Sequence, residues 1–199
     1  MRDLNEQSGE NSILVIDNYD SFTYNIVQYL KIIGVSPLVI KNDELSLNEI
    51  NKLSFSRIII SPGWGTPENS GVSMQVLDFY KDRMAILGVC LGMQCIARYF
   101  GAGIIRAPEP CHGKNSAIYF KPDFPLFRGM RQGFSATRYH SLVVDSPTDI
   151  IDITAWTEEH LPMALKIRGK DIYGVQFHPE AYLTEQGMDI FRNFISCTA

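Results

Sequence analysis

Short apolar runs alternate with amphipathic stretches through the first half of the chain. Ser12–Asp17 is an apolar run ending in an acid, the pattern of a parallel strand buried on both faces. Beyond it, Phe22, Ile26, Val27, Leu30 and Ile33 recur at helical spacing, with Asp20 or Ser21 placed to cap the helix and Gly34 to end it. Pro37–Ile40 predicts a second strand, Leu47–Leu53 a short helix and Arg57–Ser61 a third strand. That strand runs into Pro62–Pro67, a loop by its glycines and prolines. A helix over Val72–Lys81, a strand over Met84–Val89 and a helix over Leu91–Phe100 continue the rhythm. Such alternation predicts an α/β fold, a mostly parallel central sheet flanked by helices.

After Gly101 the pattern changes. Ile118–Phe120, Ser135–Tyr139, Leu142–Val144, Ile151–Trp156, Ala164–Ile167 and Ile172–Phe177 are short strand-like runs separated by turns. They predict antiparallel strands added beside the parallel sheet, closed by a last helix over Glu185–Ile195. No repeat or linker interrupts the chain, so residues 11–199 read as one domain behind a polar tail over residues 1–10.

Composition narrows the function classes. The 199 residues are 45% hydrophobic and 20% charged, ordinary globular usage, which excludes disorder as the whole-chain answer. A formal net charge of −4 with no basic run argues against a nucleic-acid partner. No apolar stretch approaches the roughly 18 residues of a membrane helix, and the polar start lacks an export signal. A cytoplasmic setting with reduced thiols is expected. Cys90, Cys95, Cys111 and Cys197 fall at no zinc-site spacing, so neither a metal nor a disulfide is expected.

Three segments carry candidate chemistry. Gly88–Gln94 (GVCLGMQ) places Cys90 between a buried strand and a helix start, the cysteine form of a strand–turn–helix nucleophile turn. Glycines two residues before and after relieve crowding, and the helix start puts partial positive charge beside the sulfur. The bland alternative is a buried cysteine at a strand end. Gln176–Glu180 (QFHPE) offers His178 as a base and Glu180 as the carboxylate that orients it, with Pro179 stiffening the link. Alone, it reads more readily as a surface turn, and the cysteine turn is what raises it to a catalytic candidate. Ser61–Pro67 (SPGWGTP) follows a strand, and its glycines let backbone N–H groups approach a ligand. With the N–H of Leu91, such a loop can hold an oxyanion formed on an amide.

These three segments, in this order, resemble the triad-type, class I glutamine amidotransferases. With Asp17–Asn25 (DNYDSFTYN), His112–Lys114, Arg138–Val144 (RYHSLVV) and Gly174–Glu180, the chain resembles the small subunits of anthranilate synthase and aminodeoxychorismate synthase from about Ile13 to Phe194. The resemblance implies a flavodoxin-like amidotransferase fold. It implies a Cys90–His178–Glu180 triad that hydrolyses L-glutamine through a thioester. It also implies a glutamine pocket built from Gly63, Trp64, Gly65, Leu91, Gln94, Ser141 and Leu142. The ammonia would pass to a larger, chorismate-using synthase subunit; this subunit would need no cofactor, and the partner would use Mg2+. Three positions depart from the family pattern: Trp64 stands where proline is usual, Met93 where histidine is common, and Ala181 where serine usually follows. They keep a second reading open, a binding subunit with an impaired site; a γ-glutamyl cysteine hydrolase is a third. His112 and His140 read as shaping the pocket or a partner-facing surface, Cys95 as core, and Asn18–Ser21 as docking the synthase. The tryptophan and folate branches stay unseparated, since Gly65 leans one way and Asp152–Glu158 and Leu183–Gly187 the other.

Overall fold

The computed structural model describes residues 12–197, so the predicted tail over residues 1–10 lies outside the described residues. Nine strands form one sheet in the order β2-β1-β3-β4-β9-β8-β7-β5-β6. Its parallel part comprises β1 (Ser12–Asn18), β2 (Ser36–Lys41), β3 (Arg57–Gly63), β4 (Ala85–Val89) and β9 (Ile172–Val175). The order 2-1-3-4 followed by the last strand is that of flavodoxin-like sheets, whose ligands bind beyond the carboxyl ends of the strands.

Alternation along each strand divides the core. Ile13 and Val15 of β1 join Ile59, Leu87 and Val175 on one face, covered by α1 (Thr23–Ile33) and α5 (Gly187–Ser196). Leu14 and Ile16 join Ile58, Ile60 and Ile86 on the other, covered by α3 (Ser73–Tyr80) and α4 (Leu91–Tyr99). Both faces of β1, β4 and β9 are thus dry, which is why they read as continuous apolar runs, while the edge strand β2 is partly exposed. Among the described residues no helix is long and apolar enough to cross a membrane.

The helix α2 (Leu47–Ile50) is shorter than predicted and is held by a capping box between Ser46 and Glu49. For α1, the expected side-chain cap from Asp20 or Ser21 is absent, and Phe22 occupies the cap position without one. Asp20 instead accepts from the Phe22 N–H two residues on, at 2.8 Å, a local turn that competes with capping. Gly34 ends α1 with φ at +89°, as its position implied.

The second half differs most from expectation. Ile172–Val175 does not join the antiparallel group on both sides: it pairs parallel with β4 and antiparallel with β8 (Pro162–Ile167). The runs at Ser135–Tyr139 and Leu142–Val144 are one strand, β6 (Phe134–Asp145), paired along its length with β5 (Gly103–Phe120). No strand was predicted between Gly101 and Ile118; the structure extends β5 through it and takes up Pro108 and Pro110 where the register shifts between Arg106 and Cys111. β5 meets β7 (Ile151–Trp156) only at Tyr119 and Phe120, so most of β5 and β6 forms a ribbon. The ribbon carries Arg138–Leu142 to the carboxyl edge, where His178 donates its backbone N–H to Thr137 O at 2.9 Å.

Candidate active site

β4 ends at a sharp turn. Cys90 adopts φ 51° and ψ −103°, a conformation costly for any residue with a side chain and held by its surroundings. Its N–H donates to Val175 O at 2.8 Å, tying the turn to β9. The flanking glycines are sterically required. A methyl group at Gly88 would lie 2.4 Å from the Gly92 carbonyl, and one at Gly92 would lie 2.2 Å from Ile60 O. Strand and helix therefore cross closely enough to present the sulfur just above the sheet.

His178 and Glu180 leave the neighbouring end of β9. The imidazole Nδ1 and Glu180 Oε1 are 2.7 Å apart, with both side chains buried. Thr184 Oγ1 donates to His178 O at 2.7 Å and accepts from Thr137 N–H at 3.0 Å, which locks this short segment. The rings of Phe22 and Tyr139 stand edge-on to His178, with centroids 5.5 and 5.3 Å away. Among the described residues, buried His178 Nε2 has no hydrogen-bond partner. Burial by itself disfavours the imidazolium, but the charges of Glu180 and Cys90 outweigh it and hold His178 well above its usual range. The set is arranged to keep a proton on the imidazole beside the sulfur.

The glycine loop lies across the cleft. A methyl group at Gly63 would fall 2.6 Å from Asn18 Cβ and 2.9 Å from Leu91 Cδ2, so loop, first strand end and nucleophile turn are in close contact. Asn18 anchors this corner. Its side-chain amide donates to Ser61 O at 3.0 Å, its carbonyl accepts from Asn42 and Ser73, and its backbone N–H donates to Ser61 Oγ at 2.9 Å. Gly65 sits at φ +94°, and Trp64 is 82% exposed, turned out of the cleft.

The third wall is β6. Leu142 O accepts from His140 Nδ1 at 2.9 Å and from Gln94 Nε2 at 3.3 Å, while Ser141 Oγ lies 2.9 Å from His112 Nε2. Burial, then the Arg138 guanidinium, pull His140 down to about 4, which leaves a neutral ring that packs and donates. The predicted residues thus fall into four groups, with Ser141 set apart against His112. Cys90, His178 and Glu180 share one buried corner; Leu91 and Gly63 touch beside it; Gln94 and Leu142 bond on the far side. Trp64 and Gly65 stand at the rim. Cys95 is a core residue, fully buried, its thiol pushed up to about 12 by desolvation. Met93 is equally buried and would be the first atom a side chain at Gly174 met, so it belongs to the helix–sheet packing. Sequence reasoning missed Gln176, whose Nε2 lies 3.6 Å from Cys90 Sγ, and the anchoring role of Asn18. Both lie inside the motifs named above, but a strand-end amide carries no chemical signal until its neighbours are known.

The class defined by the fold is the flavodoxin-like α/β one, here with a strained cysteine turn and a buried His–Glu pair at the carboxyl edge of the sheet. Comparison makes this specific: the family profile of class I glutamine amidotransferases matches residues 14–197, and the chain belongs to that family. It is 47% identical over 188 residues to anthranilate synthase component 2 of Cyanophora paradoxa, covering 93% of this chain and 98% of that protein. It is 46% identical over 185 residues to aminodeoxychorismate synthase component 2 of Escherichia coli K12, covering 92% and 98%. Among solved structures, a Thermoplasma acidophilum protein described as a GMP synthase subunit superposes with a TM-score of 0.84 at 26% identity, covering 94% of each chain. A Thermotoga maritima glutamine amidotransferase, at 16% identity and TM-score 0.73, shares the fold.

Proposed function

We propose that this chain hydrolyses L-glutamine through Cys90, His178 and Glu180 and supplies the ammonia to a larger, chorismate-aminating synthase subunit. The observation that carries the reading is the buried His178–Glu180 pair, 2.7 Å apart, with Nε2 left unpartnered next to the strained Cys90 turn.

In the first half-reaction the Cys90 thiolate attacks the side-chain amide carbon of glutamine. Negative charge develops on the amide oxygen, which the N–H of Leu91 and the Gly63–Gly65 loop are placed to receive. His178 gives its proton to the departing nitrogen, ammonia leaves, and a glutamyl thioester remains on Cys90. In the second half, His178 takes a proton from water as it attacks the thioester; glutamate leaves and the sulfur is restored. Glu180 holds the ring in the tautomer that keeps Nε2 towards the reacting atoms. Gln94, Ser141 and Leu142 supply polar groups for the amino-acid end of the substrate. The chemistry uses only groups of this chain, and any Mg2+ belongs to the partner.

The three departures from the family pattern leave this machinery standing. Met93 packs in the core, Trp64 is exposed, and the His178 carbonyl accepts from the Ala181 backbone N–H at 3.2 Å and from Thr184 Oγ1 at 2.7 Å, so it needs no hydroxyl at position 181. The relatives of known name are component 2 subunits of both kinds at nearly equal identity, so the partner is assigned by class, a chorismate-using component 1. The test is glutamate release by the purified chain, alone and with each such component plus chorismate, beside Cys90→Ser. Release that depends on a partner and vanishes in the variant, while the complex still aminates chorismate from free ammonia, is the expected result. Wild-type release by Cys90→Ser overturns the mechanism, and complex formation without release in the wild type favours an impaired binding subunit.

A further inference from the structure

We infer that Gln176 is a fourth residue acting on the reacting sulfur: its side-chain N–H donates to Cys90 Sγ, in an orientation imposed by Gln94 and the Leu142 carbonyl. The inference rests on the nucleophilic role of Cys90 proposed above and adds a specific donor to it. Gln176 is fully buried at the end of β9, next to the triad segment, and its Nε2 lies 3.6 Å from the sulfur.

An amide side chain can present either its oxygen or its nitrogen, so the question is what decides. A backbone carbonyl can only accept, so Gln94 must turn its NH2 towards Leu142 O, 3.3 Å away. The same nitrogen lies 3.1 Å from Gln176 Oε1 and donates its second hydrogen there. If Gln176 turned over, two NH2 groups would face each other, and the sulfur would face a carbonyl oxygen. The chain of donors therefore admits one arrangement, with the Gln176 N–H on the sulfur.

The Leu142 carbonyl is itself held. Arg138 can only donate, so His140 Nε2, 3.0 Å from Arg138 Nε, must accept, and the ring hydrogen sits on Nδ1, pointing at Leu142 O. Neutral His140 makes that assignment stable through the working pH range. Arg138, His140, Gln94 and Gln176 are all at most 5% exposed, so water does not offer alternative partners. The Gln176 amide thus donates to the sulfur directly, while His178, with Glu180 behind it, interacts electrostatically with Cys90 and the start of α4 follows it in the chain. A neutral N–H stabilises a thiolate more than a thiol, because a hydrogen bond to a charged acceptor is the stronger one. It does so without adding a proton that could be lost in the cycle. The same donor favours sulfur as the leaving group when the thioester is hydrolysed.

The test reads the sulfur directly. Cys90 carboxamidomethylation by iodoacetamide is followed by peptide mass spectrometry, with fragment ions separating Cys90 from Cys95, across a pH series. Wild type is compared with Gln176→Met, Gln176→Glu and Gln94→Met, and thermal unfolding checks that each variant is folded. Gln176→Met is expected to react at least about tenfold more slowly at neutral pH, with its profile moved to higher pH. Gln176→Glu, which keeps shape but places a carboxylate at the sulfur, is expected to be slower still, and it serves if Gln176→Met does not fold. Gln94→Met is expected to fall between these and wild type, since Gln176 is then free to turn. A folded Gln176 variant with the wild-type rate and profile overturns the inference; a Gln94→Met indistinguishable from wild type overturns the orientation argument. Gln176-dependent alkylation in a chain that releases no glutamate with any partner leaves this hydrogen bond standing and refutes the glutaminase reading instead.

Discussion

Replacing Gly187 by alanine is expected to destabilise the protein and to slow glutamate release, against the usual effect of that substitution. In a helix, Gly→Ala typically gains up to about 1 kcal/mol from propensity and reduced unfolded-state freedom. Gly187 opens α5, and a methyl group there would lie 1.8 Å from Pro179 O and 2.8 Å from Pro179 C. No heavy-atom contact survives at that distance, and the obstacle is backbone, with no flexible side chain to swing away. Either α5 or the Pro179 peptide must move by more than 1 Å to reach ordinary contact. Overpacking of this kind costs about 1–3 kcal/mol, so it outweighs the propensity gain.

The functional consequence follows from where the displaced atom lies. Pro179 joins His178 to Glu180, and the 2.7 Å contact between those two side chains is set by that link. A shift of the order of 1 Å in a catalytic group can cost about 10²-fold in rate. α5 is the more firmly packed partner, since Ile190, Phe191 and Phe194 are fully buried in the core face of the sheet. The strain should therefore fall on the triad segment. The assays are urea denaturation, read as a midpoint at unchanged slope, and glutamate release in the partner complex. A Gly187→Ala variant as stable and as active as wild type would refute the claim that α5 buttresses the triad.

Other outcomes follow from the same geometry. Asn18→Ala removes the buried amide shared by Ser61, Asn42 and Ser73 and should cost about 1–3 kcal/mol, with lower glutamine turnover because the Gly63 loop loses its anchor; denaturation and kinetics in parallel check both, and an unchanged turnover argues against the anchor. His140 gives a pH signature. Its folded value lies below its unfolded value, so the folded state binds the proton less readily; stability is full above about 6.5 and is lost as pH falls towards about 4. That interval corresponds to roughly 3 kcal/mol at most. The stability difference between wild type and His140→Gln, measured by denaturation at several pH values, should shrink by up to that amount on acidification; a constant difference would sink it. Cys90→Ser, tested with the partner as described, remains the direct check on the nucleophile.

Much of this architecture was legible because its causes are local. Runs such as Ser12–Asp17 and Met84–Val89 announce strands buried on both faces, and Gly88 and Gly92 announce a turn that leaves no room for a side chain. Cys90, His178 and Glu180 stood out because each type carries chemistry in its own right, and the structure sets the last two 2.7 Å apart. β5 and the continuous β6 were not: two prolines and Gly113 mimic a loop, and only pairing across the ribbon shows that the backbone stays extended. The direction of β9 was hidden for a related reason, since an apolar run does not say which neighbour it will meet.

The same limit explains Gln176. Its segment was singled out for His178 and Glu180, while Gln176 itself reads as a strand residue of no particular chemistry. What gives it a role is a sequence of single-valued hydrogen bonds: a guanidinium that cannot accept, a carbonyl that cannot donate, and two amides that must follow. The members of that chain come from three parts of the sequence, Arg138, His140 and Leu142 from the ribbon, Gln94 from α4 and Gln176 from just past β9. The ribbon, whose strand runs were predicted but not their joining into one long pair, therefore supplies the constraint that orients a donor at the sulfur. A change that shifts β6 at Leu142 should alter thiol reactivity through Gln94 and Gln176.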